Sequence, residues 1–237
     1  QSIVIRFPWV VFNYDLDFGT VVSILVAVLA AFGADWLIQP HPTKGNQTFI
    51  QHGLVPALTA WVIGVPLSFI EVGIEWWIVV GFGGILLAFI LVAEYLVVDS
   101  TSESHLPASL GLTVISFALF LVLAIALQAS GMRLFLLLPA ISITIFFLVS
   151  RSLYLRTSGD WYWFWSIGVA FFVGQIALGL HYLPIQPLSF GLVLVGIAYP
   201  LTLLITAFKE GKKGLNLIIE PSVLFIFLFT LALLTNG

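Results

Sequence analysis

Residues 76–98, WWIVVGFGGILLAFILVAEYLVV, are apolar on every helical face and contain one charged residue, Glu94. A helix needs about 20 apolar residues to cross a hydrocarbon core about 30 Å thick, so this stretch is long enough to span a membrane. The strands of a transmembrane β-barrel would instead be segments of about ten residues in which apolar and polar side chains alternate. The stretch therefore predicts a transmembrane helix.

The composition of the whole chain points to the same environment. Of its 237 residues, 61% are hydrophobic and 8% are charged, and the mean hydropathy is +1.16. A soluble domain has about 25% charged residues, so this composition excludes a soluble enzyme, a secreted disulfide scaffold and a disordered chain. The absence of cysteine excludes thiolate metal sites and iron–sulfur clusters. A net charge of −3 without a basic stripe argues against a nucleic-acid partner.

Similar apolar stretches recur along the chain and are separated by short polar segments. We predict an all-α fold, a polytopic transmembrane helical bundle with about eight spans, short loops and no soluble domain. Residues 19–237 are expected to form a single transmembrane domain, and residues 1–18 an interfacial segment on the outer surface. The second span is the least regular, because it is short and contains Pro56 and Pro66. The predicted spans lie near residues 19–39, 53–70, 76–98, 107–129, 132–151, 161–182, 186–208 and 215–235.

The distribution of cations predicts the orientation of these spans. If all eight spans are real, Arg6 and Arg133 fall on one side of the membrane and the other six cations fall on the opposite side. Lysine and arginine in short loops favour the cytoplasmic side, so both chain termini are expected outside the cytoplasm. The cations expected on the cytoplasmic side are Lys44, Arg151, Arg156, Lys209, Lys212 and Lys213.

Ionisable residues concentrate near the predicted cytoplasmic ends of the spans. Asp35, Glu94 and Glu220 lie one to one and a half turns inside three spans, and His41 and His52 lie in adjoining segments. Charged residues within spans are costly and are functional candidates, so these five residues are the candidate catalytic residues. Two interpretations remain open, a shallow site at the cytoplasmic interface and an ordinary polar rim.

A metal could belong to the first interpretation, because carboxylate and imidazole groups bind divalent ions. The candidate metal ligands are Asp35, His41 and His52. His41 and His52 are eleven residues apart, however, which is not the i, i+4 spacing of a helical zinc site. His181, near the outer end of the sixth predicted span, is the candidate cofactor ligand for haem iron or chlorophyll magnesium. The alternative for His181 is an interfacial hydrogen bond, and the sequence demands no cofactor.

Three classes of function fit these features. The preferred one is a non-catalytic accessory, scaffold or assembly subunit of a membrane complex, because the loops are short and no catalytic motif is present. The partners expected are then the lipid bilayer and other membrane subunits or pigments. The second class is a lipid-modifying enzyme at the cytoplasmic interface. The third is a small-solute or proton-coupled transporter that uses Glu94 or Glu220 as the protonatable group.

Overall fold

The structure is a computed structural model that describes residues 5–7, 10–12, 18–40, 49–67, 70–99, 105–157 and 161–235. Eight helices account for most of these described residues, which confirms the all-α fold class. Their bounds are α1 (Phe18–Ile38), α2 (Phe49–Leu67), α3 (Ile74–Val97), α4 (His105–Ala129), α5 (Leu134–Arg156), α6 (Trp163–His181), α7 (Pro187–Lys209) and α8 (Leu215–Leu234).

Seven of the helices in the described ranges are long and apolar enough to cross a membrane. This finding supports a multi-pass integral membrane protein. The exception is α2, whose apolar stretch, His52–Gly64, is shorter than the others. The predicted second span was the least regular for the same reason. The side of the membrane on which each helix end lies stays a prediction.

Two three-residue strands precede the first helix. Strand β1 (Ile5–Phe7) pairs with β2 (Val10–Phe12) in an antiparallel register that places Ile5 opposite Phe12 and Phe7 opposite Val10. These strands cannot be predicted from the sequence pattern, because they are shorter than the runs of four to eight residues that mark a strand. The interfacial position expected for residues 1–18 stays a prediction, and residues 13–17 lie outside the described ranges.

The helices form two compact units, residues 1–99 (unit 1) and residues 100–237 (unit 2). In unit 1, α1 and α3 both pack on α2 and touch each other only marginally. In unit 2, α7 packs against α4, α5, α6 and α8, so it is the central helix of that unit. About 67% of the residues in the apolar stretch of α7 are buried, against 11% of those in the apolar stretch of α3. The single domain expected for residues 19–237 stays a prediction.

Small residues set the spacing of the helices in unit 1. A Cβ atom placed on Gly53 would lie 3.2 Å from Cβ of Ala31, and one on Gly64 would lie 2.6 Å from Cβ of Ser23. From Gly53 to Gly64 along α2, the contacting residue on α1 changes from Ala31 back to Ser23. The two helices are therefore antiparallel. Glycine at such positions lets the helix backbones approach closely, which is how helices associate where water supplies no hydrophobic driving force.

Replacing Gly64 with alanine is therefore expected to weaken the contact between α1 and α2. The new methyl group would meet Cβ and Cα of Ser23, and overpacking of this kind costs about 1–3 kcal/mol. That cost is at least as large as the helix-propensity gain of about 1 kcal/mol for glycine to alanine, so the net loss is up to about 2 kcal/mol. The free energy of unfolding of the purified protein can be measured by titration with a denaturing detergent, followed by tryptophan fluorescence.

The matched control is Gly33→Ala on α1, because no atom lies within 4 Å of a Cβ at Gly33. This variant is expected to be as stable as the unsubstituted protein, or more stable by less than about 1 kcal/mol. Equal unfolding free energies for Gly64→Ala and Gly33→Ala would contradict the close approach of α1 to α2.

Candidate functional site

Polar side chains from all three helices of unit 1 lie at the same end of that unit. Helix α2 is antiparallel to α1, and it is also antiparallel to α3, since Ile63 lies beside Gly83 and His52 beside Glu94. The end of α1, the start of α2 and the end of α3 therefore lie together. Asp35 precedes the end of α1 by about one turn, His52 follows the start of α2 by about one turn, and Glu94 precedes the end of α3 by about one turn. Three of the candidate residues from the sequence therefore belong to one end of unit 1.

His52 and Glu94 form a buried pair that joins α2 to α3. His52 Nδ1 lies 3.2 Å from Oε2 of Glu94, and the two residues are 1% and 0% exposed. A buried ionisable group is costly unless it is hydrogen-bonded or paired. An imidazole N–H that donates to a carboxylate oxygen satisfies a polar atom on each helix at once. The pair therefore stabilises the contact between two helices that are otherwise apolar.

Asp35 has a more open environment. It is half-buried, and Gln39 Nε2, four residues further along, donates a hydrogen bond to Asp35 Oδ2 over 3.3 Å. Among the described residues, no group of three or more His, Asp or Glu side chains is close enough to hold a metal ion. His41 lies outside the described ranges, so the proposed metal ligands Asp35, His41 and His52 stay a prediction.

Glu220 belongs to unit 2, where it is exposed on α8 about one and a half turns from the start of the helix. The turn before α8 carries an ion pair, in which Lys212 Nζ lies 2.8 Å from Oε2 of Glu210. Lys212 donates a hydrogen bond to Glu210, and this bond, together with the negative charge of Glu210, raises the pKa of Lys212 above the usual value for lysine. Lys212 therefore remains a cation at neutral pH.

Five of the six lysine and arginine residues of unit 2 lie at the end where α5 and α7 finish and α8 begins, whereas Arg133 precedes the start of α5. Lys209 Nζ lies 4.4 Å from the ring centroid of Tyr162 and 5.7 Å from that of Trp165. A cation over aromatic rings at the end of an apolar helix is typical of the membrane–water interface. The cytoplasmic location of this end stays a prediction, and Lys44 lies outside the described ranges. The basic residues at this end are Arg151, Arg156, Lys209, Lys212 and Lys213.

Arg151 is a candidate functional residue that the sequence analysis missed. The cation distribution predicts Arg151 beside a cytoplasmic loop, but the residue lies inside α5 and is 1% exposed. Its guanidinium carbon is 5.4 Å from the ring centroid of Tyr154, and its sequence neighbours Ser150 and Ser152 are both buried. Its position within the predicted span 132–151, as the last residue, was the available signal, because an arginine inside a span is rare and usually has a specific partner.

His181 is the last residue of α6 and is half-buried. Its ring meets the ring of Tyr182 edge-to-face, with centroids 5.6 Å apart. Its Nδ1 atom is buried and has no hydrogen-bond partner among the described residues. The role of His181 as a cofactor ligand stays a prediction.

Comparison with protein families covers nearly the whole chain. A family profile described as "Protein of unknown function (DUF5656)" matches residues 1–235. The chain belongs to the DUF5656 family. The match includes the described residues of both units. No curated protein and no solved structure shows a significant match to this DUF5656 member.

The interaction between His52 and Glu94 can be measured in this family member by a double-mutant cycle. His52→Ala and Glu94→Ala each remove the buried hydrogen bond between α2 and α3, so each is expected to lower the unfolding free energy by about 1–3 kcal/mol. The double variant should lose less than the sum of the two, with a coupling of about 0.5–3 kcal/mol.

The control for this cycle is Glu71→Ala, which removes an exposed carboxylate just before α3. This substitution is expected to change stability by no more than about 0.5 kcal/mol. Additive effects of His52→Ala and Glu94→Ala would show that the pair does not join α2 to α3.

Proposed function

We propose that this protein is a non-catalytic subunit of a membrane complex, in an accessory, scaffold or assembly role, and that it binds other membrane helices through an exposed face of α3. The observation that supports this role is an apolar stripe along α3, which we name the α3 ridge. Each of its side chains is between 56% and 72% exposed. The α3 ridge consists of Ile78, Phe82, Ile85, Phe89 and Val92.

The spacing of the α3 ridge suits a partner helix. Its residues follow one another at intervals of four, three, four and three, which is the pattern of a seam between two packed helices. The 14 residue steps from Ile78 to Val92 extend over about 21 Å, or some two thirds of the hydrocarbon core. Helix association in membranes depends on van der Waals packing, and two phenylalanine rings provide a large contact area for it.

The buried pair also supports a structural role. His52 and Glu94 are hydrogen-bonded to each other and are excluded from solvent, so a substrate would have to break the contact between α2 and α3 to reach them. The lipid-modifying enzyme requires these groups to face a substrate. The transporter requires Glu94 or Glu220 on a water path to the middle of the membrane, whereas Glu94 is buried near the end of α3 and Glu220 is exposed near the start of α8. Both alternatives are therefore less well supported.

The proposal can be tested by measuring the mass of the protein in membrane patches excised with an amphipathic polymer. We expect a particle heavier than the 26.0 kDa chain by at least one further polypeptide. Combined Phe82→Ala and Phe89→Ala substitution should reduce recovery of that polypeptide at least tenfold, because it removes both rings of the α3 ridge. The readout is native mass spectrometry with quantification of each component.

The control is combined Phe164→Ala and Phe171→Ala substitution on α6, whose two rings are 83% and 66% exposed. It should leave the partner bound, because these rings lie on α6 rather than on the α3 ridge. A particle that contains one copy of the chain and only lipid, with or without the substitutions, would overturn the proposed function. A partner that is lost equally from both double variants would overturn the role of the α3 ridge.

A further inference from the structure

An apolar cleft of about 440 Å³ lies between the three helices of unit 1. Since α1 and α3 both pack on α2 but touch each other only marginally, α2 forms the floor of the cleft and the other two helices form its walls. Its volume is within the range of about 300–1,000 Å³ that is typical of ligand sites. Among the described residues, the lining side chains are apolar except for the hydroxyl of Ser23 and the indole N–H of Trp76.

Two neighbouring glycines of α3 explain why the cleft exists. A Cβ atom on Gly83 would lie 2.7 Å from Cγ2 of Ile63, so this glycine lets α3 approach α2 closely. A Cβ atom on Gly84 would have no neighbour within 4 Å, although Gly84 lines the cleft. Gly83 therefore permits the helix contact that makes the floor, and Gly84 leaves the adjacent space open.

The dimensions of the cleft indicate what it can hold. Its lining on α3 runs from Trp76 to Leu87, and these eleven steps correspond to about 16 Å, close to half the thickness of the hydrocarbon core. A helix about 10–12 Å wide and of this length would occupy roughly 1,300–1,900 Å³, about three to four times the volume of about 440 Å³, so a helix does not fit. A chain one carbon wide does fit, because carbon atoms contact one another at about 3.5–4.0 Å.

We propose that this cleft binds the hydrocarbon chain of one membrane lipid along the length of a single leaflet. Trp76 lies where α3 begins, and tryptophan prefers the level of the lipid headgroups. The headgroup of the bound lipid therefore lies beside Trp76, and the end of its chain lies near Leu87. Bound hydrocarbon restores van der Waals contacts to side chains that no helix of unit 1 covers.

The cleft is independent of the α3 ridge. At 100° per residue, Val80, Gly84 and Leu87 fall on the opposite face of α3 from Phe82 and Phe89. Loss of lipid from the cleft would thus leave the proposed partner surface intact, and loss of the partner would leave the cleft intact. The two proposals can fail separately.

The test uses the purified protein in phosphatidylcholine nanodiscs that contain a small, varied fraction of phosphatidylcholine with a diazirine in one acyl chain. After irradiation, mass spectrometry locates the labelled residues. We expect labelling of the cleft to saturate as the probe fraction rises, because one site fills. Labelling of the α3 ridge should rise in proportion, as it does for bulk lipid.

Substitution of Gly84 with phenylalanine should fill the cleft and reduce labelling of Val26 and Leu87 at least fivefold. The matched control is Gly81→Phe on the same helix, since Gly81 is exposed, does not line the cleft and has no neighbour within 4 Å of a Cβ. Gly81→Phe should retain the labelling of the cleft. Both variants introduce the same ring at a helical glycine.

A second pair of variants tests the opposite wall of the cleft in case Gly84→Phe does not fold. Val26→Phe narrows the cleft from α1, and Val28→Phe changes a comparably exposed position of α1 that does not line it. The first should reduce labelling of Leu87, and the second should not. Labelling of the cleft that never saturates, or that is unchanged in a folded Gly84→Phe or Val26→Phe variant, would overturn the lipid site.

Discussion

Hydrocarbon offers no hydrogen bonds, and this constraint organises the whole chain. Backbone groups in a membrane must be satisfied within the protein, which leaves the helix as the available structure for a chain of long apolar stretches. The same constraint moves charges toward helix ends, where Asp35, Lys209 and Lys212 are found. A charge that stays inside needs a partner. Glu94 has one in His52 on the neighbouring helix, so an acid that would be unfavourable alone becomes part of a contact between helices.

Hydropathy alone was sufficient to predict the fold class, because the length and apolarity of a span are local properties. The pairing of His52 with Glu94 was not predictable, since the two residues are 42 positions apart and meet only through the packing of α2 on α3. The burial of Arg151 was missed for a similar reason, because its exposure is set by helices distant in sequence. The sequence therefore predicted which residues are candidates but not which of them lie together. The structure was needed to show that Glu220 is exposed on α8 in unit 2, whereas His52 and Glu94 are paired in unit 1.

Glycines show the same limit of local reasoning. In the sequence, Gly81, Gly83 and Gly84 are indistinguishable small residues of one predicted span. In the structure they have different surroundings. Gly83 meets Ile63, whereas a Cβ on Gly81 or Gly84 would have no neighbour within 4 Å. Of the latter two, only Gly84 lines the cleft. Helical periodicity predicts which residues share a face, but the helix against which that face packs is a tertiary property.

The two units differ in how much of their apolar surface they cover themselves. Unit 2 has α7 as a central helix, against which four others pack. Unit 1 has only three helices in its described part, and both outer helices keep most of their apolar windows exposed. Three helices cannot surround one of their number, so the described helices of unit 1 leave apolar surface among themselves that lipid or another protein can cover. The cleft suits the first and the α3 ridge suits the second, because one is too small for a helix and the other is a continuous helical seam. If both proposals hold, unit 1 is the part of the molecule that binds its neighbours in the membrane.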